Sequence, residues 1–212
     1  MTKYLIHACN ERLWYVEQYL IPSMTEQGIP KENINLWVDE HNDGNLRACI
    51  KSFESVANIT GGTWHLQDDV LISSNFKAIT EEEDKGIKCG FASKYDKGKA
   101  GKVWTKDAWY SFPCIRIPNP IVKDFLKWFD INKSNFDSYV KKNKYDDALF
   151  QAYLKEHFPW LQVTNIAPNL VEHVDWLIGG SITNPRRDEK REVVRSVYWN
   201  EPGLVQKLKN SL

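Results

Sequence analysis

The chain has 212 residues, 42% of them hydrophobic, nine tryptophans and no net formal charge. That length and apolar content are enough to bury a sizeable core and exclude a disordered or fibrous chain. The charge is unevenly spread, with a net of −8 over residues 1–84, +9 over 85–144 and −1 over 145–212, so the middle third is either a surface for phosphates or a lysine-rich solvated face.

In chain order, "KYLIHA" (Lys3–Ala8) reads as a short buried strand and "VEQYLIPSM" as a helix, turned back by Pro22 and Gly28. "NINLWVDE" (Asn33–Glu40) is a second strand by its β-branched and aromatic content, and "HNDG" is a turn. "NLRACIKSFESVA" carries a helical stripe of Leu46, Cys49, Ile50, Phe53, Val56 and Ala57, and "GGTWHL" is a third strand. Further on, "GIKCGFAS" (Gly86–Ser93) and "YSFPCIRIP" read as strands, separated by a Lys/Gly-rich loop over Lys94–Lys102. "NPIVKDFLKWF" opens a helix with Asn119 as N-cap and Pro120 at the first position. "YDDALFQAYLKEHF" is a helix ended by Pro159, and "LQVTNIAPNLVEHV" is a last strand and loop before an Arg-rich tail. Strands alternating with helices predict an α/β fold with an open, mainly parallel sheet flanked by helices.

In such a sheet, ligands bind off the carboxyl ends of the strands. Asn10–Arg12, Asp39 and Asp68–Asp69 all fall at such ends. Asp68 and Asp69, in "HLQDDV", are either solvated turn residues or the seat of a cation, since adjacent carboxylates repel unless neutralised. Mg²⁺ or Mn²⁺, with diphosphate oxygens completing its shell, would serve. Asp39 suits a ribose or base contact, or else a turn leading into Asp43-Gly44. Arg12 has the fork that grips a diphosphate. Of Asp146 and Asp147, one caps its helix and the other is open to work as a general base. His173 is either a structural residue or a late metal ligand.

The order of these features, "CNER", "WVDEHNDG", "HLQDDV", "YDDALF" and "NLVEHV", resembles the GT-A-fold glycosyltransferases over residues 3–175. The resemblance implies residues 1–180 as a single catalytic domain with a GT-A-like sheet, and 181–212 as a tail that forms a lid. The family's Asp-x-Asp motif opens on Asp where this chain has Gln67, which assigns Asp69 to the metal and Asp68 to the ribose or a second metal contact. It further implies Asn10 on the donor, Arg12 on the donor diphosphate, Asp39 on the nucleoside, Asp147 or Asp146 as base, and His173 as a late metal ligand. Trp104, Trp109 or Trp176 would stack on a sugar, and Arg186, Arg187 or Arg195 would reach in from the lid. The implied reaction is metal-assisted transfer from a nucleotide-sugar donor, UDP-sugar by default, to an acceptor hydroxyl. That acceptor is a polysaccharide precursor, a protein, a small metabolite or a hydroxymethylated DNA base.

Two other readings use the same residues. A nucleotidyltransferase would employ the same acids and metal and release pyrophosphate. A non-catalytic module would dock an anionic polymer through Lys94, Lys97, Lys99 and Lys102. Neither a Walker A loop nor a dinucleotide-binding Gly-x-Gly-x-x-Gly is present. Cys9, Cys49, Cys89 and Cys114 are far apart, as expected for free thiols in a reducing compartment. With no signal pattern and no apolar run near the ~20 residues of a membrane span, a soluble cytoplasmic protein is expected.

Overall fold

The computed structural model describes residues 2–41, 43–82, 85–92, 100–107, 112–142, 146–180 and 196–212. Among these, seven strands form one sheet: β1 (Lys3–Cys9), β2 (Ile34–Asp39), β3 (Gly62–Gln67), β5 (Ile87–Cys89), β6 (Gly101–Trp104), β7 (Cys114–Pro118) and β8 (Gln162–Asn165). Their order is β2-β1-β3-β7-β5-β8-β6, with β7 and β6 antiparallel to their neighbours and the others running one way. The expected mixed, mainly parallel sheet is what forms. A two-stranded ribbon pairs β4 (Val70–Ile72) with β9 (Val171–His173).

Helices cover both faces, and alternation along the strands supplies a core on each. Tyr4, Ile6, Ala8, Trp64 and Leu66 point to one core, with Tyr15, Val16, Leu20 and Met24. Leu46, Cys49, Ile50 and Phe53, the predicted stripe of α3 (Asn45–Val56), enter the other. There they meet Ile115, Ile117, Val122 and Phe125 from β7 and α5 (Asn119–Lys142) and Leu149, Phe150 and Tyr153 from α6 (Asp146–His157).

The helical run after β1 passes through a 3₁₀ turn (Asn10–Arg12), α1 (Leu13–Tyr15), a π turn (Val16–Leu20) and α2 (Ile21–Glu26). Pro22 explains the widening: it has no N–H to return to Gln18, and its ring crowds that carbonyl.

Several elements differ from expectation for identifiable reasons. The predicted strand over Gly86–Ser93 is only Ile87–Cys89, because the next backbone groups bond elsewhere: Leu170 N–H donates to Gly90 O (2.8 Å) and Val197 N–H to Ala92 O (2.8 Å). A Cβ at Gly90 would lie 2.7 Å from Cys114 Sγ, so glycine permits this close approach. Asn119 begins α5 but does not act as its cap. Its side-chain amide donates to Val56 O (3.2 Å) and Ile59 O (2.7 Å), serving carbonyls at the end of α3. β6 begins within the stretch read as loop, at Gly101 and Lys102, and runs on to Trp104.

The tail is described from Ser196 onward, and there it is docked. Helix α7 (Pro202–Ser211) buries Leu208 in the first core, Tyr19 Oη donates to Ser211 O (2.9 Å), and Ser196 N–H donates to Glu172 Oε1 (2.9 Å). Of the tail 181–212 expected as a lid, residues 181–195 lie outside the described residues. Among the described residues, no helix is long and apolar enough to cross a membrane.

Candidate functional site

The carboxyl ends of β1, β2 and β3 lie side by side, since Cys9 pairs with Asp39 and His7 with Gln67. The turn Asp68–Asp69 leads from β3 directly into β4. Val70 then pairs with His173, and Val174 N–H donates to Asp69 O (2.8 Å), so the ribbon delivers His173 to the end of β3 across a long stretch of sequence.

At this edge five charged side chains meet. Arg12 Nη1 donates to Asp68 Oδ1 (3.0 Å) and also to Asp69 Oδ2, and Nη2 donates to Gly180 O (2.6 Å). Cys9 N–H donates to Asp68 Oδ2 (2.8 Å). His173 Nε2 lies 3.2 Å from Asp69 Oδ2, and its Nδ1 lies 3.1 Å from Asp175 Oδ1, close enough for an ion pair but poorly aligned for a hydrogen bond. The side chains of Arg12, Asp68, Asp69 and His173 are each at most 9% exposed. Gly179 and Gly180 have φ of 113° and 85°, a conformation that glycine adopts without strain, and this brings the Gly180 carbonyl to the guanidinium.

Three polar atoms of the cluster are buried with no hydrogen-bond partner among the described residues: Arg12 Nε, Asp69 Oδ1 and His173 Nδ1. Burial would raise the Asp69 carboxyl, but the charges of His173 and Arg12 outweigh it and hold the group well below the usual carboxylate range. Asp68 is pushed up, by burial and by Asp69's charge, against the pull of Arg12. Burial opposes charge on His173, yet Asp69 and Asp175 raise it to about 10, so the ring is an imidazolium at neutral pH.

Asn10 and Asp39 lie at the neighbouring ends of β1 and β2, and Asp146 and Asp147 lie against the start of α3. Asn10 is exposed beside the end of β2, with Nδ2 3.5 Å from Glu40 O. Asp39 is buried, and both its oxygens accept from Asp43 N–H (3.1 and 3.0 Å), which shapes the turn into α3. Asp146 is held at the first turn of α3, with Oδ1 accepting from Asn45 Nδ2 (3.0 Å) and Asp147 N–H (2.9 Å). Burial and then the charge of Asp147 push Asp146 up to about 7. Asp147 is half-buried, and its Oδ1 accepts from Ala148 N–H (2.7 Å).

Trp176 lies in the turn Asp175–Leu177, directly after the cluster. Trp104 sits at the opposite edge of the sheet: it pairs with Gln162, the first residue of β8, while the last, Asn165, pairs with Cys89. Trp109, Arg186, Arg187, Arg195, Lys94, Lys97 and Lys99 lie outside the described residues.

The sequence reading did not single out Asp175, Gly180, Asn45, His7 or His65. The "GG" after "VDWLI" was the available signal for Gly180. Burial lowers His7 to about 4 and His65 to about 3. Neither His65 ring nitrogen has a hydrogen-bond partner among the described residues, and the ring packs 4.7 Å from Phe53.

Mg²⁺ and Mn²⁺ ask for about six oxygen or nitrogen ligands. Among the described residues no group of three or more His, Cys, Asp or Glu is arranged to hold a metal. Three of the four carboxylate oxygens of Asp68 and Asp69 are already engaged by Cys9, Arg12 and His173. The cluster as arranged does not fit a divalent ion.

No protein family matches the chain, and no curated protein matches it. Solved structures do. Residues 1–349 of S. aureus TarS superpose with a TM-score of 0.53 at 12% identity, over 84% of this chain and 62% of that one. The CTP:phosphocholine cytidylyltransferase LicC of Streptococcus pneumoniae gives 0.48 at 15% identity, over 90% and 98%. A glucose-1-phosphate thymidylyltransferase of Bacillus anthracis gives 0.41 at 11%, over 91% and 96%. The likeness to TarS is one of fold.

Proposed function

We propose that this chain is a transferase that binds the diphosphate of a nucleotide-sugar donor at the carboxyl ends of β1, β2 and β3 and passes the sugar to an acceptor hydroxyl. The observation that carries this reading is the buried Arg12 guanidinium, fixed by three acceptors at that edge and left with its Nε–H unpartnered among the described residues. A guanidinium so placed stabilises the charge that develops on a departing phosphate oxygen. Asn10 and Asp39 line the same edge, where a nucleoside would lie. Asp146, with its carboxyl near pH 7, is matched in proton affinity to taking a proton from an acceptor hydroxyl.

A nucleotidyl transfer would use the same edge, and the leaving group separates the two: nucleoside diphosphate for glycosyl transfer, pyrophosphate for nucleotidyl transfer. The test is thermal stability with a panel of nucleotide sugars, followed by analysis of the phosphate product. At about 100 times its Kd a ligand adds about 2.7 kcal/mol, a rise of roughly 5–10 °C for a chain of this size. A panel in which no nucleotide sugar moves the melting temperature would sink the proposal. For the acceptor, the basic middle third motivates titration with hydroxymethylated DNA across a salt series, where phosphate-driven binding weakens steeply as salt rises.

A further inference from the structure

We infer that the cation of this site is the chain's own: the Arg12 guanidinium occupies the place a divalent ion would take between Asp68 and Asp69, and donor binding is independent of metal. The second half rests on the function proposed above; the first does not. Arg12 Nη1 binds one oxygen of each carboxylate, and Asp68's other oxygen is held by the Cys9 amide. This leaves Asp69 Oδ1 as the single oxygen of the pair without a partner. His173 faces a carboxylate with each ring nitrogen, Asp69 at 3.2 Å and Asp175 at 3.1 Å. Set between two acceptors, it offers N–H donors in place of a lone pair for a metal. A divalent ion would therefore have to expel a buried guanidinium.

Unlike a metal ion, the guanidinium carries a permanent charge and a fixed fork of donors. Asp68, Asp69 and the Gly180 carbonyl are then positioning partners, which hold the Arg12 guanidinium at the carboxyl ends of β1 and β3. The paired acids of the sequence serve as the seat of an arginine.

The test is titration of the full chain with Mn²⁺ alone, by calorimetry and by the paramagnetic resonance of free Mn²⁺. Wild type is expected to show no saturable binding, and its melting temperature should be the same in Mn²⁺ and in EDTA. Arg12→Ala leaves two buried carboxylates without their counter-charge. It should acquire one Mn²⁺ site, on the order of 100-fold tighter than any binding by wild type, and adding Asp69→Asn should abolish that site. Arg12→Met, which keeps the apolar stem, serves if the alanine variant does not fold. Saturable binding of one Mn²⁺ by wild type, lost in Asp69→Asn, overturns the inference without any nucleotide in the experiment. The same nucleotide-sugar panel, run in EDTA and in Mn²⁺, tests the second half. Affinities within about twofold of each other support it, and a donor that binds only with Mn²⁺ overturns it. A panel with no binder at all counts against the proposed function and leaves the Mn²⁺ titration to decide the cation.

Discussion

Asp69 and His173 hold opposite charges inside a buried cluster in which Asp69 also pairs with Arg12 and His173 with Asp175. Asp69 is the carboxylate that both cations share, and removing the partner of a buried charge costs about 3–5 kcal/mol. Asp69→Asn should lose stability on that scale in urea denaturation, whereas a loss near zero would mean that the pair is solvated. Three histidines also set the pH profile. His7 and His65 titrate at about 4 and about 3 in the folded chain, against an ordinary value of 6.5. Below pH 6.5 the unfolded chain therefore binds protons that the folded chain refuses, and stability falls as pH falls. His173 is shifted the other way, to about 10. Its contribution is fully present below pH 6.5 and is lost as pH rises from there through about 10. Each group contributes a slope of at most about 1.4 kcal/mol per pH unit. Asp146, raised to about 7, and Asp68, also raised, take up protons on folding in the same acid window and oppose the two histidines. The test therefore compares variants with wild type: His65→Leu should gain in urea midpoint relative to wild type as pH falls below 6.5, and the deficit of His173→Gln should shrink as pH rises from 6.5 toward 10.

At the scale of elements, strands and helices with strong periodicity were legible, and those made by partners were not. The stripe of α3 and the helix over Asp146–His157 follow from apolar spacing and Pro159. β4 and β9 are three residues each and exist because they pair with one another, so no local pattern marks them. Helix α7 reads as tail because it is short and carries only Leu204, Val205 and Leu208 as apolar side chains beyond its first residue, Pro202. What holds it is the socket that receives Leu208, together with bonds from Tyr19 to Ser211 and from Ser74 N–H to Glu201 Oε1 (3.1 Å). Leu208→Ala should cost about 2 kcal/mol and lower the melting temperature by roughly 4–8 °C. An unchanged melting temperature would show that the helix is not docked in solution.

For the whole molecule, one sheet separates the two cores, and β1, β3 and β7 contribute to both faces. Leu66 and His65, adjacent on β3, pack into opposite cores, beside Trp64 in one and against Phe53 in the other. Neither core can come apart without breaking strands that the other needs. Unfolding should therefore be a single transition, with tryptophan fluorescence and far-UV circular dichroism coincident. Trp64 reports one core and Trp128 the other, so two separated fluorescence transitions would show that the cores melt independently.

Alternating apolar positions, a helical stripe and turn residues are local properties, and they were sufficient to identify the α/β class and to place Arg12, Asp39 and Asp68–Asp69 at strand ends. Neighbouring carboxylates at a strand end raise by themselves two alternatives, a solvated turn or a positive group between them. Which group answers is not written locally, because an arginine and a metal ion satisfy the same charge. The tertiary structure pairs β1 with β3, which sets Arg12 against Asp68 and Asp69, and β4 with β9, which sets His173 beside them. Those contacts join residues distant in sequence through backbone hydrogen bonds and shared burial, and the spacing of side chains along one strand or helix carries no record of its partners.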